Sequence, residues 1–265
     1  MTVNEAAASG FAKGAAEYRR SRPGYPPELA DLLVRELGLG PDRRVVDLAA
    51  GTGKSTALVV GTGADVVAVE PVAEMRAHFE LPGVEPIAGT AEAIPLRDAS
   101  VDVVCVFQAF HWFDEVPALA DIARVLRPGG GLAIVWNVRD RRVAWVRQMA
   151  ELMESVVGPL PYERHHNAMP GDEGGQDAHW AAVVAASGRF SPLRVERFDE
   201  IQPATVDLVI GRAASTSYVA KLPDPDRAYL LDGIRHLLID HPDLVGRKHF
   251  DFPHRTSVYW CRRCR

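Results

Sequence analysis

The stretch Val45-Val46-Asp47-Leu48-Ala49-Ala50-Gly51-Thr52-Gly53-Lys54-Ser55-Thr56 carries the first residues whose types and spacing suggest chemistry. Its tail has the ingredients of a phosphate-binding P-loop. That loop needs a glycine five positions before its Gly-Lys pair, so that backbone N–H groups wrap a phosphate. Leu48 stands there instead, inside an apolar run that reads as a buried strand. The dinucleotide fingerprint G-x-G-x-x-G/A matches at Gly51 and Gly53 but meets Thr56 at its third small position. What survives is a strand, a tight Gly-x-Gly turn and a helix from about Lys54. Glu70 follows at the end of the next apolar run, where a carboxylate can accept hydrogen bonds from both hydroxyls of a ribose.

Further candidates lie after later apolar runs. Thr90-Ala91-Glu92 follows one, and Gln108-Ala109-Phe110-His111-Trp112-Phe113-Asp114 follows another. Histidine ordinarily titrates near neutrality, which would suit His111 as a general base, but its aromatic neighbours favour a packed wall. Asp98, Asp102 and Asp114 read as turn residues and caps. His165-His166 and His179 read as loop residues, because adjacent histidines on an extended chain point apart. Cys261-x-x-Cys264 offers two ligands where a zinc site needs about four. No metal is expected.

The elements that must position these residues alternate. Apolar β-rich runs at 44–49, 65–70, 84–88, 101–107 and 131–137 enclose helical patterns at 54–61, 73–80, about 91–94 and 115–126. A further helix runs from Pro27 to about Leu37, closed by Gly38. Alternating strands and helices build a parallel sheet with helices on both faces. In such a sheet ligands sit outside the carboxyl ends of the strands, where strand order reverses. Each candidate above lies at one of those ends, so one extended ligand could touch them all. Beyond residue 138 the pattern changes. An amphipathic helix at 141–157 precedes a loop at 158–177 and a helix at 178–187. A strand near 193–201, helices at about 205–221 and 225–239, and a strand near 255–262 complete the chain.

Composition narrows the partners. The chain has 265 residues, 47% of them hydrophobic, and a net charge of −5 without a basic block. Nucleic acid is therefore not an expected partner, since phosphate neutralisation dominates that affinity. Three cysteines suit a reducing, cytoplasmic setting. No signal-peptide core and no membrane-length apolar run is read from the sequence.

Taken together, "VVDLAAGTG", "VVAVEP", "GTAEAIPLRDASVDVVCVFQAFHWFD" and "RVLRPGGGLAIVW" resemble, in order, the motifs of class I S-adenosylmethionine-dependent methyltransferases. The N-terminal "FAKGAAEYRRSRPGYP" is similar to the arm of a small-molecule branch that includes trans-aconitate-type carboxyl methyltransferases. The resemblance covers about Phe11 to Val138. It implies a doubly wound, mostly parallel, seven-stranded Rossmann-like sheet with helices on both faces and a helical cap. Residues 1–138 would form the arm and cofactor core, and residues 139–265 the substrate part. Asp47, Ala49, Gly51 and Gly53 would line the methionine half of S-adenosylmethionine. Glu70 would hold the ribose, with Pro71 and Met75 beside the adenine and Thr90, Ala91 and Glu92 at its edge. Gln108 and Ala109 would lie near the sulfonium, and Trp112 would also contact the cofactor. Tyr18, Arg19 or Arg22, and Tyr25 would close a flap, the arginine pairing with the cofactor carboxylate. The product would be S-adenosylhomocysteine, the partner a small-molecule methyl acceptor, and the assembly a monomer or homodimer. Two alternatives stay open: a protein that binds S-adenosylmethionine for other chemistry, and a nicotinamide-dependent oxidoreductase.

Overall fold

The structure, a computed structural model, describes residues 24–158 and 173–265. Tyr18, Arg19, Arg22, His165 and His166 lie outside the described residues. In chain order the elements are α1 (Pro27–Leu37), β1 (Arg44–Leu48), α2 (Lys54–Val60), β2 (Asp65–Val69), α3 (Ala73–Ala77), β3 (Val101–Phe107), a 3-10 turn (Phe110–Trp112), α4 (Glu115–Val125) and β4 (Leu126–Arg139). After these come α5 (Ala144–Val157), α6 (Glu173–Ala186), β5 (Arg194–Ala204), α7 (Val206–Ala214), α8 (Ser217–Ala220), α9 (Asp224–Asp240) and β6 (Phe250–Arg262).

Among the described residues the strands form one six-stranded sheet in the order β2-β1-β3-β4-β6-β5. The first four are parallel, and β6 runs antiparallel between β4 and β5. The order reverses between β1 and β3, so the crevice for a ligand opens at their carboxyl ends.

The expected strand at 84–88 is reduced to a single parallel bridge, Val69 to Ile87. Ile87 N–H donates to Ala68 O at 2.9 Å and Glu70 N–H to Ile87 O at 3.0 Å, placing the segment at the β2 edge. Pro86 has no N–H to give, so the ladder cannot extend. The short helix expected at 91–94 is absent. Pro95 disfavours helical geometry at Ile94, and Ile94 N–H donates instead to Asp121 Oδ2 at 2.6 Å. The helix expected over 205–221 divides into α7 and α8. Ser215 Oγ turns back to Arg212 O at 2.9 Å there, the competition with helical bonding that hydroxyl side chains offer. In the other direction, α6 begins at Glu173, inside the expected loop.

Alternate residues of the strands feed two apolar layers. Val46, Leu48, Val104, Val106, Leu132 and Ile134 pack toward α4 and α6. Val45, Val103, Cys105, Phe107, Ala133 and Val135 pack toward α1, whose Leu29, Leu32, Leu33 and Leu37 are buried at helical spacing. A third cluster joins α5, α7, α8 and α9 to Phe250 and Phe252 at the start of β6. No helix of the described residues is long and apolar enough to cross a membrane.

The two halves of the sheet differ in length. β1 and β2 have five residues each, whereas β4 has fourteen and β6 thirteen. Phe107, the last residue of β3, pairs with Val135, so β4 continues past it to Arg139. β6 and β5 accompany this extension, with Asn137 opposite Thr256 and Glu200 opposite His254. A shelf of strand therefore projects beyond the carboxyl ends of β1 and β3.

Candidate functional site

The site starts with the turn after β1. Ala49 leaves the strand at φ +60°, a left-handed conformation uncommon for a residue with a side chain. Gly51 (φ +60°) and Gly53 (φ +87°) follow. A Cβ on Gly53 would be strained by the positive φ and would lie 3.0 Å from the Phe79 ring. A Cβ on Gly51 would meet nothing within 4 Å, so the turn presents bare backbone to open space. Gln108, directly after β3, is held at φ +56°. Two strained non-glycine residues thus end the two strands that flank the crevice, a pattern typical of ligand sites.

Asp47 and Glu70 hold the turn. Asp47 is fully buried, and its Oδ2 accepts from Ser55 Oγ at 2.9 Å and Thr56 Oγ1 at 2.6 Å. These hydroxyls, which resemble the end of a P-loop in the sequence, anchor the first turn of α2 to β1. Burial raises the Asp47 carboxyl to about 6 against these hydrogen bonds. Its Oδ1 is buried with no hydrogen-bond partner among the described residues. Glu70 is 4% exposed and ties β2 to the turn. Its Oε2 accepts from Gly51 N–H at 2.9 Å and its Oε1 from Val72 N–H at 2.8 Å. Burial raises this carboxyl too, opposed by the same two backbone donors. Arg76 Nη1 reaches the carbonyls of Glu70 and Pro71 at 2.7 and 2.8 Å and fixes the following loop.

A pocket opens over this turn, lined by Tyr25, Thr52, Lys54, Gln108, Asn137 and Arg212 together with the turn backbone. Lys54, the first residue of α2, belongs to this wall, because helical side chains lean toward the N-terminus of their helix. Asn137 lies on the β4 extension, where Thr256 Oγ1 donates to its Oδ1 at 2.6 Å and its Nδ2 donates to Gly24 O at 3.1 Å. Asn137 and Arg212 escape sequence reasoning, since neither belongs to a motif.

The open backbone at Gly51, the orphaned Asp47 oxygen and the Glu70 carboxylate form a donor and acceptor set that fits a polar, nucleoside-bearing ligand. A sequence pattern for a methyltransferase domain matches residues 46–134, the stretch from β1 into β4. An uncharacterized methyltransferase of Mycobacterium tuberculosis is 40% identical over 248 residues, covering 93% of this chain and 92% of that protein. This chain belongs to the class I S-adenosylmethionine-dependent methyltransferases. The fold agrees. A methyltransferase from an antibiotic biosynthesis pathway of Anabaena variabilis superposes with a TM-score of 0.59 at 21% identity, covering 87% of this chain and 96% of that one. An N-methyltransferase of Haemonchus contortus, in complex with phosphomonomethylethanolamine and S-adenosylhomocysteine, gives 0.58 at 14% identity, covering 100% of this chain and 61% of that one.

In this methyltransferase Pro71 and Met75 follow Glu70 along the same edge of the crevice, Met75 being buried. Ala91 is buried, and the Thr90 Oγ1 beside it is buried without a hydrogen-bond partner among the described residues. Glu92 Oε1 accepts from Asp114 N–H at 3.0 Å, which ties the loop after residue 90 to the start of α4. Ala109 is buried under the 3-10 turn. His111 lies in an aromatic corner, with ring centroids 4.4 Å from Trp112 and 4.7 Å from Trp136. His179 meets Glu115 Oε1 at 2.9 Å and joins α6 to α4. Cys261 is buried and Cys264 exposed, both as free thiols, and burial pushes Cys261 up to about 12.

Glu70→Ala removes the acceptor of two backbone donors at once. It is expected to lower unfolding stability by about 1–3 kcal/mol, and Glu70→Gln by less, because one oxygen remains. Urea denaturation checks this, and a midpoint unchanged in the alanine variant would remove Glu70 from the turn's support.

Proposed function

We propose that this methyltransferase transfers the methyl group of S-adenosylmethionine to an oxygen, carboxylate or hydroxyl, of a small-molecule acceptor. The observation that carries the reading is the Gly51 turn, open above its backbone and bonded to Glu70. Asp47, Ala49, Gly51 and Gly53 would take the methionine half of the cofactor. Glu70 would take the ribose, each carboxylate oxygen keeping a lone pair beyond its backbone donor. Pro71, Met75, Thr90, Ala91 and Glu92 would surround the adenine, and Gln108, Ala109 and Trp112 the methyl-bearing end. Bound there, S-adenosylmethionine would supply an activated methyl on a sulfonium. The protein's contribution is alignment of nucleophile and methyl, which can supply about 7–11 kcal/mol of the barrier.

A carboxylate acceptor needs no base, whereas a hydroxyl acceptor would call on His111. Residues 1–138 act as arm and cofactor core in this reading, with Tyr18 and Arg22 closing over the ligand. Residues 139–265 supply the acceptor pocket, with α5, α7, α8 and α9 as its cap. Trp145, Met149 and Met153 of α5 are buried in the third apolar cluster, which suits a rigid cap. The kinship with a trans-aconitate-type branch, a cytoplasmic setting and a monomeric or homodimeric state belong to the same proposal.

S-Adenosylhomocysteine at about 100 times its dissociation constant is expected to stabilise the chain by about 2.7 kcal/mol, a rise of roughly 5–10 °C in melting temperature. NAD at the same concentration is expected to leave the melting temperature unchanged. The reverse ranking would overturn the assignment of this pocket to S-adenosylmethionine. Radiolabelled methyl transfer to candidate acceptors then separates an enzyme from a protein that only binds the cofactor.

A further inference from the structure

The shelf beyond β3 carries a polar cluster that no cofactor motif accounts for. Glu200 and Gln202 lie on β5, opposite His254 and Phe252 of β6. Arg212 reaches across from α7 and is 4% exposed. Its Nη1 donates to Gln202 Oε1 at 3.3 Å and meets His254 Nε2, and its guanidinium carbon stands 5.0 Å from the centre of the Phe252 ring. His254 is fully buried. A planar cation seated on an aromatic ring and held at one nitrogen has a fixed direction. That direction counts because Arg212 lines the same pocket as Ala49, Gly51, Thr52, Gln108 and Asn137. Lys54 lies on the same wall. Glu200, opposite His254, places a carboxyl among these groups. Burial raises its carboxyl, and Lys54 and Arg212 oppose that rise. Arg212 and Lys54 thus bring two cations to one pocket wall.

We propose that Arg212 is the anion-binding residue of this pocket and takes a carboxylate of the bound ligand. Guanidinium and carboxylate pair through two parallel N–H to O bonds, and a buried site strengthens them. The carboxylate comes either from the amino-acid end of the cofactor or from the acceptor, and the proposal rests on the pocket being the cofactor site. Gln202, His254 and Phe252 are positioning residues that aim the guanidinium.

Calorimetric titration of the full chain and of Arg212→Gln tests this with two nucleosides: S-adenosylhomocysteine, and 5′-methylthioadenosine, which lacks the amino-acid end. A third arm measures the thermal shift given by citrate and by succinate at saturating S-adenosylhomocysteine. If the cofactor supplies the carboxylate, Arg212→Gln weakens S-adenosylhomocysteine about 10- to 100-fold and leaves 5′-methylthioadenosine unchanged. If the acceptor supplies it, both nucleosides bind as to the wild type, and the shift given by citrate or succinate disappears in the variant. Unchanged binding of 5′-methylthioadenosine also reports that the variant is folded. Arg212→Lys keeps the charge without the planar fork and is expected to fall between the two, which a purely structural arginine would not require. Unchanged S-adenosylhomocysteine affinity together with no carboxylate effect that the substitution removes overturns the proposal. A wild-type chain that binds neither nucleoside overturns instead the cofactor reading on which it rests.

Discussion

Between pH 4 and pH 7 the wild-type chain is expected to lose about 3 kcal/mol of stability that Asp47→Asn retains. The Asp47 carboxyl rises from an ordinary 3.8 to about 6 because burial disfavours its charge, and the neighbouring Glu70 charge adds to the rise. The native state therefore keeps a proton that the unfolded chain has already released over this interval. Unfolding binds fewer protons, so stability falls as pH rises. The contribution is fully present below about pH 4 and gone once pH has passed through about 6. Asparagine keeps an acceptor for Ser55 and Thr56 and cannot ionise. The quantity to measure is the variant's stability minus the wild type's, from urea curves at each pH, since this difference cancels most other titrations. A flat difference across the interval would falsify the raised carboxyl. The reading has a functional side. One Asp47 oxygen is buried without a partner among the described residues, and a ligand that supplied it a donor would hold Asp47 ionised.

Trp180→Ala is expected to cost about 3–5 kcal/mol, a large share of the 5–15 kcal/mol that stabilises a typical domain. Trp180 is 1% exposed on α6 and packs edge-on to three rings. Its centroid lies 5.5 Å from Phe110, 5.8 Å from Trp136 and 4.9 Å from Tyr259. Such pairs add about 0.5–1.5 kcal/mol beyond area burial. Neighbouring polar bonds orient the helix. Tyr259 Oη donates to Asp177 Oδ1 at 2.7 Å, and Arg197 Nη2 donates to Asp177 Oδ2. Trp180→Phe is expected to cost far less, because it keeps most of the rings' contact and removes a buried indole N–H that has no partner among the described residues. Equal losses in the two variants would deny the ring cluster its role. Because Trp136 also packs against His111, the alanine variant should loosen the aromatic corner beside Gln108. Quenching of the remaining tryptophan fluorescence by acrylamide reports that change.

The features legible in the sequence are those that local physics dictates. Val45 to Leu48 reads as a buried strand, because three apolar residues around one acid, between turn signals, leave little else. Gly51 and Gly53 had to turn, and the structure gives both positive φ. The order of Asp47, Gly51, Glu70 and Gln108 along the chain maps onto successive strand ends, because alternating strands and helices wind a parallel sheet only one way. Pro86 was a legible warning that the segment at 84–88 could not form a full strand, and the apolar run concealed it.

Tertiary structure decided the rest. Glu70 finds the backbone of Gly51 only when β1 and β2 pair, a contact no periodicity encodes. Ser55 and Thr56 find Asp47 for the same reason, which is why their P-loop appearance has another cause. Asn137, Gln202, Arg212 and His254 are scattered over more than a hundred residues. They meet because β6 inserts antiparallel between β4 and β5 and all three strands overrun β3. Strand register and the docking of α7 on that overrun are set by long-range packing. A single cation in a helix, read from sequence, looks the same whether it faces water or a pocket.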